Sequence, residues 1–370
     1  MTTAQDTLQT LIPKVSIVMP AYNAEELIGP ALDAILAQTF TDWELIVAND
    51  ASTDGTLAIL EEYAARDARI KFKTIQRDKK ATCHAAVRLA AIEDVTGEYL
   101  AFMDSDDLYE PQALERMAGY LDAHPQAQSV YGLHREVDHD GRFITQTAER
   151  HWNDLTPEHF TLDFDTLHSW ENIILQRIPM MLATMMVRKS FFDKVGGLDP
   201  RIIWDDYFFF LRMFCEDRSA VHRINQYVFR YRFNKNGVSK STEMFKRILK
   251  DVPLLVDYLS DKLNVSQYNP QYTASFLAAK MYADICWLRY RAGLNDQVVY
   301  AAFIAFMDTR VRFKDWLRSC GGLMGKALIP APLWKLLKAL SGKGRSSSEK
   351  TNNETMTNVT PIAAKPVAAS

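Results

Sequence analysis

Carboxylates gather at three points of this chain in a pattern that could do chemistry. Asn49-Asp50 follows one apolar run, Asp104-Ser105-Asp106-Asp107 follows another, and Asp205-Asp206 opens a later amphipathic stretch. Three carboxylates within four residues repel one another unless a cation offsets them. A hard divalent ion such as Mg²⁺ takes oxygen ligands and commonly shares them with substrate phosphates. In isolation the same four residues would be a polar turn, with Asp107 capping the helix behind it. Behind a wholly apolar strand the metal reading outweighs the turn.

Strand and helix signals alternate through the first 130 residues. Strands are predicted over 15–19, 44–48, 70–75, 99–103 and 128–133. Helices are predicted over 25–38 with Asn23 as cap, over 57–65 behind Ser52, Thr53 and Asp54, over 81–94, and over 111–123 with Pro111 in the first turn. Such alternation means βαβ crossovers and a mainly parallel sheet flanked by helices. Ligands of these sheets bind beyond the carboxyl ends of the strands, which selects the loops after Met19, Ala48 and Met103. Further on, Asp140-Gly141 signals a hairpin between 135–137 and 143–145. A strand is expected over 183–187, a turn at Gly196-Gly197, a helix over 205–216 and a strand over 227–233. Residues 150–180 carry no readable pattern.

Composition sets wide bounds. With 370 residues, 48% hydrophobic and 24% charged, the chain can bury a sizeable core, and its length fits two compact units. A net charge of −3 gives no global field for nucleic acid, so no nucleic-acid partner is expected. The four cysteines are far apart, with no metal or redox spacing, which fits a reducing compartment. No signal peptide is read at the N-terminus. The longest apolar run, 298–307, is about half the ~20 residues of a membrane span. The expected location is cytoplasmic.

The motifs in order resemble glycosyltransferase family 2, whose fold is GT-A. They are Val18-Met19-Pro20-Ala21-Tyr22-Asn23, Asn49-Asp50-Ala51-Ser52-Thr53-Asp54-Gly55, Gly97-Glu98-Tyr99 leading into Asp104-Ser105-Asp106-Asp107, Gly196-Gly197-Leu198-Asp199, and Asp205-Asp206-Tyr207 with Arg212 beyond. The resemblance covers about two thirds of the chain, roughly residues 14–240. It implies an inverting transfer of a sugar from a nucleoside diphosphate carrier, UDP in the first instance, to a hydroxyl of a glycan or lipid-linked acceptor. Pro20, Ala21, Tyr22 and Asn23 would line the nucleobase site, with the Tyr22 ring as a stacking surface. Asp50 would accept a hydrogen bond from the base; a turn residue is its plainer role. Asp104 and Ser105 would meet the ribose or metal region, and Asp106 would hold the Mg²⁺ or Mn²⁺ that bridges the phosphates. Arg88 stands where the family has an arginine near the diphosphate. Asp206 matches the catalytic base, with Asp205 in place of the usual Glu. A first-turn acid favoured by the helix dipole would look the same.

Departures from the family pattern lie on the third helix and after residue 230. Leu89 replaces an Asn beside Arg88, and Ala91 replaces a Gly. Tyr231-Arg232-Phe233-Asn234 stands where many members have Tyr-Arg-x-His, so Asn234 offers hydrogen bonds without imidazole chemistry. The altered third helix leaves a rival reading, a catalytically idle sugar-nucleotide-binding or scaffold protein; Asp106 and Asp206 argue against it. A nucleotidyltransferase would need a glycine-rich basic loop after the first strand, and Pro20-Ala21-Tyr22-Asn23 is not one.

The expected division is an N-terminal extension over 1–12, the transferase domain over 13–240, a helical C-terminal region over 241–340 and a disordered tail over 341–370. Between 310 and 345, nine Lys and Arg stand against Asp315 alone and are interleaved with Trp and Leu. Basic amphipathic pieces of this kind suit a peripheral contact with the inner face of a membrane. Packing of their apolar side on the catalytic domain is the equal alternative.

Overall fold

The computed structural model describes residues 12–76, 84–144, 181–232 and 242–263, with isolated positions between 275 and 320. Strands and helices follow in the order β1 (Val15–Ala21), α1 (Ile28–Leu36), β2 (Trp43–Asn49), α2 (Thr56–Arg66), β3 (Ile70–Thr74), α3 (His84–Ile92) and β4 (Tyr99–Phe102). Next come β5 (Leu108–Tyr109), α4 (Ala113–Ala123), β6 (Ser129–Val137), β7 (Met185–Arg188), α5 (Lys189–Lys194), α6 (Asp205–Glu216), β8 (Val221–Arg232) and α7 (Thr242–Leu263). One eight-stranded sheet runs β3-β2-β1-β4-β7-β6-β8-β5.

The first four strands in that order are parallel, as the βαβ pattern predicts. Beyond β4 the sheet becomes mixed. β7 is antiparallel to both β4 and β6, while β8 returns parallel to β6. β2 and β4 are buried along their whole length, which is why they read as mainly apolar, with Glu44 of β2 satisfied by Ser16 and Lys71. Alternation then divides the core between two faces. Val15, Ile17 and Met19 pack with α1 and α4, whereas Val18, Ile46 and Phe102 pack with α3, α6 and α7.

The C-terminal helical region shares that second core. Leu249, Val252, Leu255 and Val256 of α7 join the same cluster as Phe208 to Phe214 of α6, together with Ala278, Tyr282, Ala302 and Trp316. Trp316, one of the aromatics of the basic stretch, is buried and donates its indole N–H to the Ala302 carbonyl at 2.7 Å. Phe313 is 62% exposed. No described helix is long and apolar enough to cross a membrane.

Several local expectations change. α1 begins at Ile28, behind Leu27 as its N-cap residue, and Asn23 is not its cap. Asn23 has φ 46° and turns the chain sharply out of β1. Pro30 lies in the first turn of α1, where its missing amide costs nothing. For α2 the N-cap position falls to Gly55, and Asp54 accepts from the Thr56 amide at 3.1 Å. Asp107 does not cap α4, whose N-cap position is Gln112. The hairpin at Asp140-Gly141 is reduced to a single antiparallel bridge between Val137 and Phe143, with Gly141 at φ 79°. β5 and α5 are too short for any periodic signal to mark them. The hard-to-read 150–180, the tail and Asn234 lie outside the described residues. Cys215 is partly buried, Cys320 is buried with its thiol donating to the Ala279 carbonyl at 3.5 Å, and Cys83 and Cys286 are also outside.

Candidate active site

Two loops leave the carboxyl ends of neighbouring parallel strands, and polar bonds sew them together. The Asp50 amide donates to the Ala21 carbonyl at 2.8 Å. Asn23 receives the Thr53 amide on Oδ1 at 2.8 Å and donates its own amide to Ser52 Oγ at 3.0 Å. Glu25 accepts from the Gly55 amide at 2.6 Å, and the Ala24 amide donates to Thr56 Oγ1. Asn49, buried at the end of β2, holds Ser52 through Oδ1. Ala51 stands at φ 51°, a left-handed conformation that costs a non-glycine residue free energy and often marks functional loops. Asn23 is thus a strut between the loops. What the struts leave open is Tyr22, 61% exposed, beside partly buried Pro20 and buried Ala21 and Asp50. An exposed ring on a rigid loop is suited to stacking on a flat base.

The acidic turn after β4 lies beside the start of α6, and Arg88 joins them. Its Nη2 donates to Asp104 Oδ1 at 2.6 Å and its Nη1 to Asp205 Oδ2 at 3.0 Å. The arginine and Asp205 are both buried. Burial opposes the arginine's charge, but Asp104 and Asp205 outweigh it and raise its pKa. An arginine on α3, legible in the sequence as a diphosphate contact, therefore ties the two acidic loops together.

The other carboxylates of the cluster hold their protons more tightly. Burial, with the charge of Asp104 behind it, lifts Asp106 to about 6. Burial, with Asp205 beside it, lifts Asp206 to about 6, although its Oδ1 accepts from the Tyr207 amide at 2.7 Å. Asp107 is also raised well above the usual carboxylate range, by burial and by Asp106 and Asp104. Its Oδ1 accepts the Arg232 amide at 2.6 Å. Ser105 sits partly exposed between the two aspartates.

Two residues placed beside the acidic cluster were not singled out from the sequence. Arg232 is buried at the end of β8, and its Nε and Nη1 have no hydrogen-bond partner among the described residues. Asp107 and Asp106 partly offset the lowering that burial imposes on its pKa. Buried guanidinium N–H groups beside an acidic turn are ready for an anion. The family motif around it was the available signal. Asp251 of α7 is the second. Its Oδ2 accepts the amides of Ile203 and Trp204 at 2.8 and 2.9 Å, just ahead of α6. Nothing local marks an aspartate so far along the chain as a support for that loop.

On its other flank, the α6 approach is held by Arg212. It donates to the Gly196 and Gly197 carbonyls at 2.8 and 3.0 Å and pairs with Asp199 at 3.2 Å. Gly197 has φ 57°, and a Cβ there would stand 2.7 Å from the Phe192 ring, so glycine is required.

Comparison with known proteins fits this geometry. Residues 16–196, just under half of the chain, match the model for Glycosyl transferase family 2. It is 40% identical over 119 residues to the putative glycosyltransferase EpsE of Bacillus subtilis, covering 32% of this chain and 42% of EpsE. Against the Escherichia coli UDP-Glc:alpha-D-GlcNAc-diphosphoundecaprenol beta-1,3-glucosyltransferase WfgD it is 25% identical over 252 residues, 67% of this chain and 88% of that protein. The chain spans less than half the length of most of the curated relatives it matches. The crystal structure of Staphylococcus aureus TarS 1-349 in complex with UDP-GlcNAc superposes with a TM-score of 0.57 at 16% identity, covering 90% of this chain and 93% of that one. The fold is GT-A.

Proposed function

We propose that the chain is an inverting glycosyltransferase that moves a sugar from a UDP-linked donor to an acceptor hydroxyl, with Asp206 as general base. The carrying observation is the meeting of the Asp104–Asp107 turn and the Asp205-Asp206 pair through Arg88. A base on one side and a diphosphate-facing turn on the other is what a single in-line displacement needs. The exposed Tyr22 ring and buried Asp50 would take the base. Arg232, with two unpaired N–H groups among the described residues, would take diphosphate charge.

The residues fit a divalent cation of the Mg²⁺ or Mn²⁺ class. Asp106 is a hard oxygen donor whose ionisation is opposed by burial and by Asp104, and a nearby cation would relieve both. No group of three ligating side chains stands together among the described residues. The protein would therefore supply one or two carboxylates, with phosphate oxygens and water completing the shell. Bound there, the ion would neutralise charge on the departing diphosphate. Asp206 would take the acceptor proton on its carboxylate. Arg88 would keep Asp205 and Asp104 at fixed separation while this happens.

A glycan on a lipid-linked diphosphate is the acceptor class, supported by the acceptor in the name of WfgD. The location is the cytoplasmic face of a membrane, with 310–345 as the peripheral contact. Only part of that stretch is described, and it packs inward at Trp316 and Asp315. Donor hydrolysis across a panel of nucleotide sugars tests the main reading; no turnover of any donor with Mg²⁺ or Mn²⁺ present would overturn it. Equal cosedimentation with anionic liposomes of the full chain and a truncation at Asp308, at low salt, would remove the membrane contact.

A further inference from the structure

Beside the acidic turn, β6 and β8 present a guanidinium stacked between rings. Arg135 lies 4.0 Å from the Tyr227 ring centroid and 5.2 Å from that of Phe143. Arg230, its register partner on β8, lies 5.6 Å from the same Phe143 ring. Arg230 is neutralised by Glu110 at 2.7 Å. Arg135 pairs with no carboxylate among the described residues. Aromatic stacking fixes the plane of a guanidinium while leaving the N–H edge available for a two-pronged anion. Phe143 keeps 49% of its surface exposed, room for the apolar face of a sugar ring.

The position of this pair relates it to the active site. Phe143 bridges to Val137, which is opposite Arg232, whose amide holds Asp107. The turn carrying Gly141 rests on Leu108, the residue after Asp107, 3.6 Å from where a Cβ would stand. On its other side His139 approaches Glu26 of the β1 loop at 3.8 Å. The hairpin thus spans from the nucleobase loop to the acidic turn.

We propose that Arg135 and Phe143 form an acceptor subsite for an anionic sugar, its ring against Phe143 and its carboxylate or phosphate on the Arg135 edge. The inference rests on the transferase reading for the word acceptor, but the binding itself does not require turnover.

Saturation-transfer NMR on the full chain in excess EDTA, without donor, tests it with three probes: methyl glucuronide, glucose 1-phosphate and methyl glucoside. At least one of the two anions is expected to bind about tenfold more tightly than the neutral glycoside. Which of them binds better tells a uronate from a phosphate. Arg135→Gln should abolish the preference, Arg135→Lys should restore part of it, and Phe143→Ala should weaken all three probes. UDP should not displace the preferred anion. Equal binding of charged and neutral probes, a preference untouched by Arg135→Gln, or displacement by UDP would overturn the subsite. Failure of donor hydrolysis with this binding intact would instead count against the transferase reading alone.

Discussion

Arg88 on α3 and Asp205 at the start of α6 meet in a buried 3.0 Å hydrogen bond across 117 positions of sequence. The second arm of the same guanidinium holds Asp104. Without it, the two loops would face each other as uncompensated negative charge. Arg88→Ala is therefore expected to cost about 3 kcal/mol or more of stability, as for other buried pairs that lose one partner. Arg88→Lys should keep the charge and lose one of the two bonds, so it should fold better than Arg88→Ala yet transfer slowly. Urea titration and donor turnover measured side by side check this. A fully active, equally stable Arg88→Ala would show the bridge to be idle.

Asp106→Ala should abolish transfer, and excess EDTA should do the same to the unaltered chain. Mn²⁺ binding followed by electron paramagnetic resonance in the presence of UDP supplies a readout separate from turnover. The altered chain should leave the ion free in solution. Undiminished turnover in EDTA would remove the metal from the mechanism.

Asp206→Asn should cut transfer by about 10²-fold or more while leaving UDP affinity near that of the parent. Burial and Asp205 hold Asp206 at about 6, and a base acts only when ionised. Turnover should therefore fall as pH drops through about 6 and level off above it. Asp205→Asn removes the adjacent charge and should move that limb to lower pH. A limb at the ordinary carboxylate value of about 4 would mean that the titrating group is another one.

Asp251 offers a test of stability against pH. Burial raises it to about 6 although two backbone amides donate to it. Its folded value exceeds the unfolded value of about 3.9, so the folded state binds the extra proton between about pH 4 and 6. That stabilisation is fully present below about 4 and is lost as pH rises through about 6. Asp251→Asn keeps an acceptor and removes the charge. It should melt higher than the parent at pH 8, by the equivalent of about 1–2 kcal/mol, and equal it near pH 4. Asp251→Ala strands the Ile203 and Trp204 amides and should melt lower at both. Thermal melts of the three proteins at the two pH values decide it, and an Asn variant that loses stability at pH 8 would refute the charge argument.

Much of the architecture was legible because burial writes itself into short-range pattern. β1, β2 and β4 are covered on both faces, so each is dominated by apolar residues, with Ser16 and Glu44 bonded to each other, and acids follow the carboxyl ends of β2 and β4. α6 was readable over its full observed length, Asp205–Glu216, as a run of apolar residues too long for an ordinary strand, with acids opening the first turn. Asp50, Asp104, Asp106 and Asp206 were candidates on residue type and place alone. The tertiary structure decided what those groups touch. A salt link between positions 88 and 205 leaves no periodic trace, since either residue read alone is an ordinary helix charge. Asn23 has the composition of a helix cap and serves as an interloop strut, because β1 and β2 are neighbours in the sheet. The partners of Asp107, Arg232 and Asp251 lie more than forty residues away in the chain. Such contacts depend on the sheet order and on packing against α7, and no local spacing encodes either.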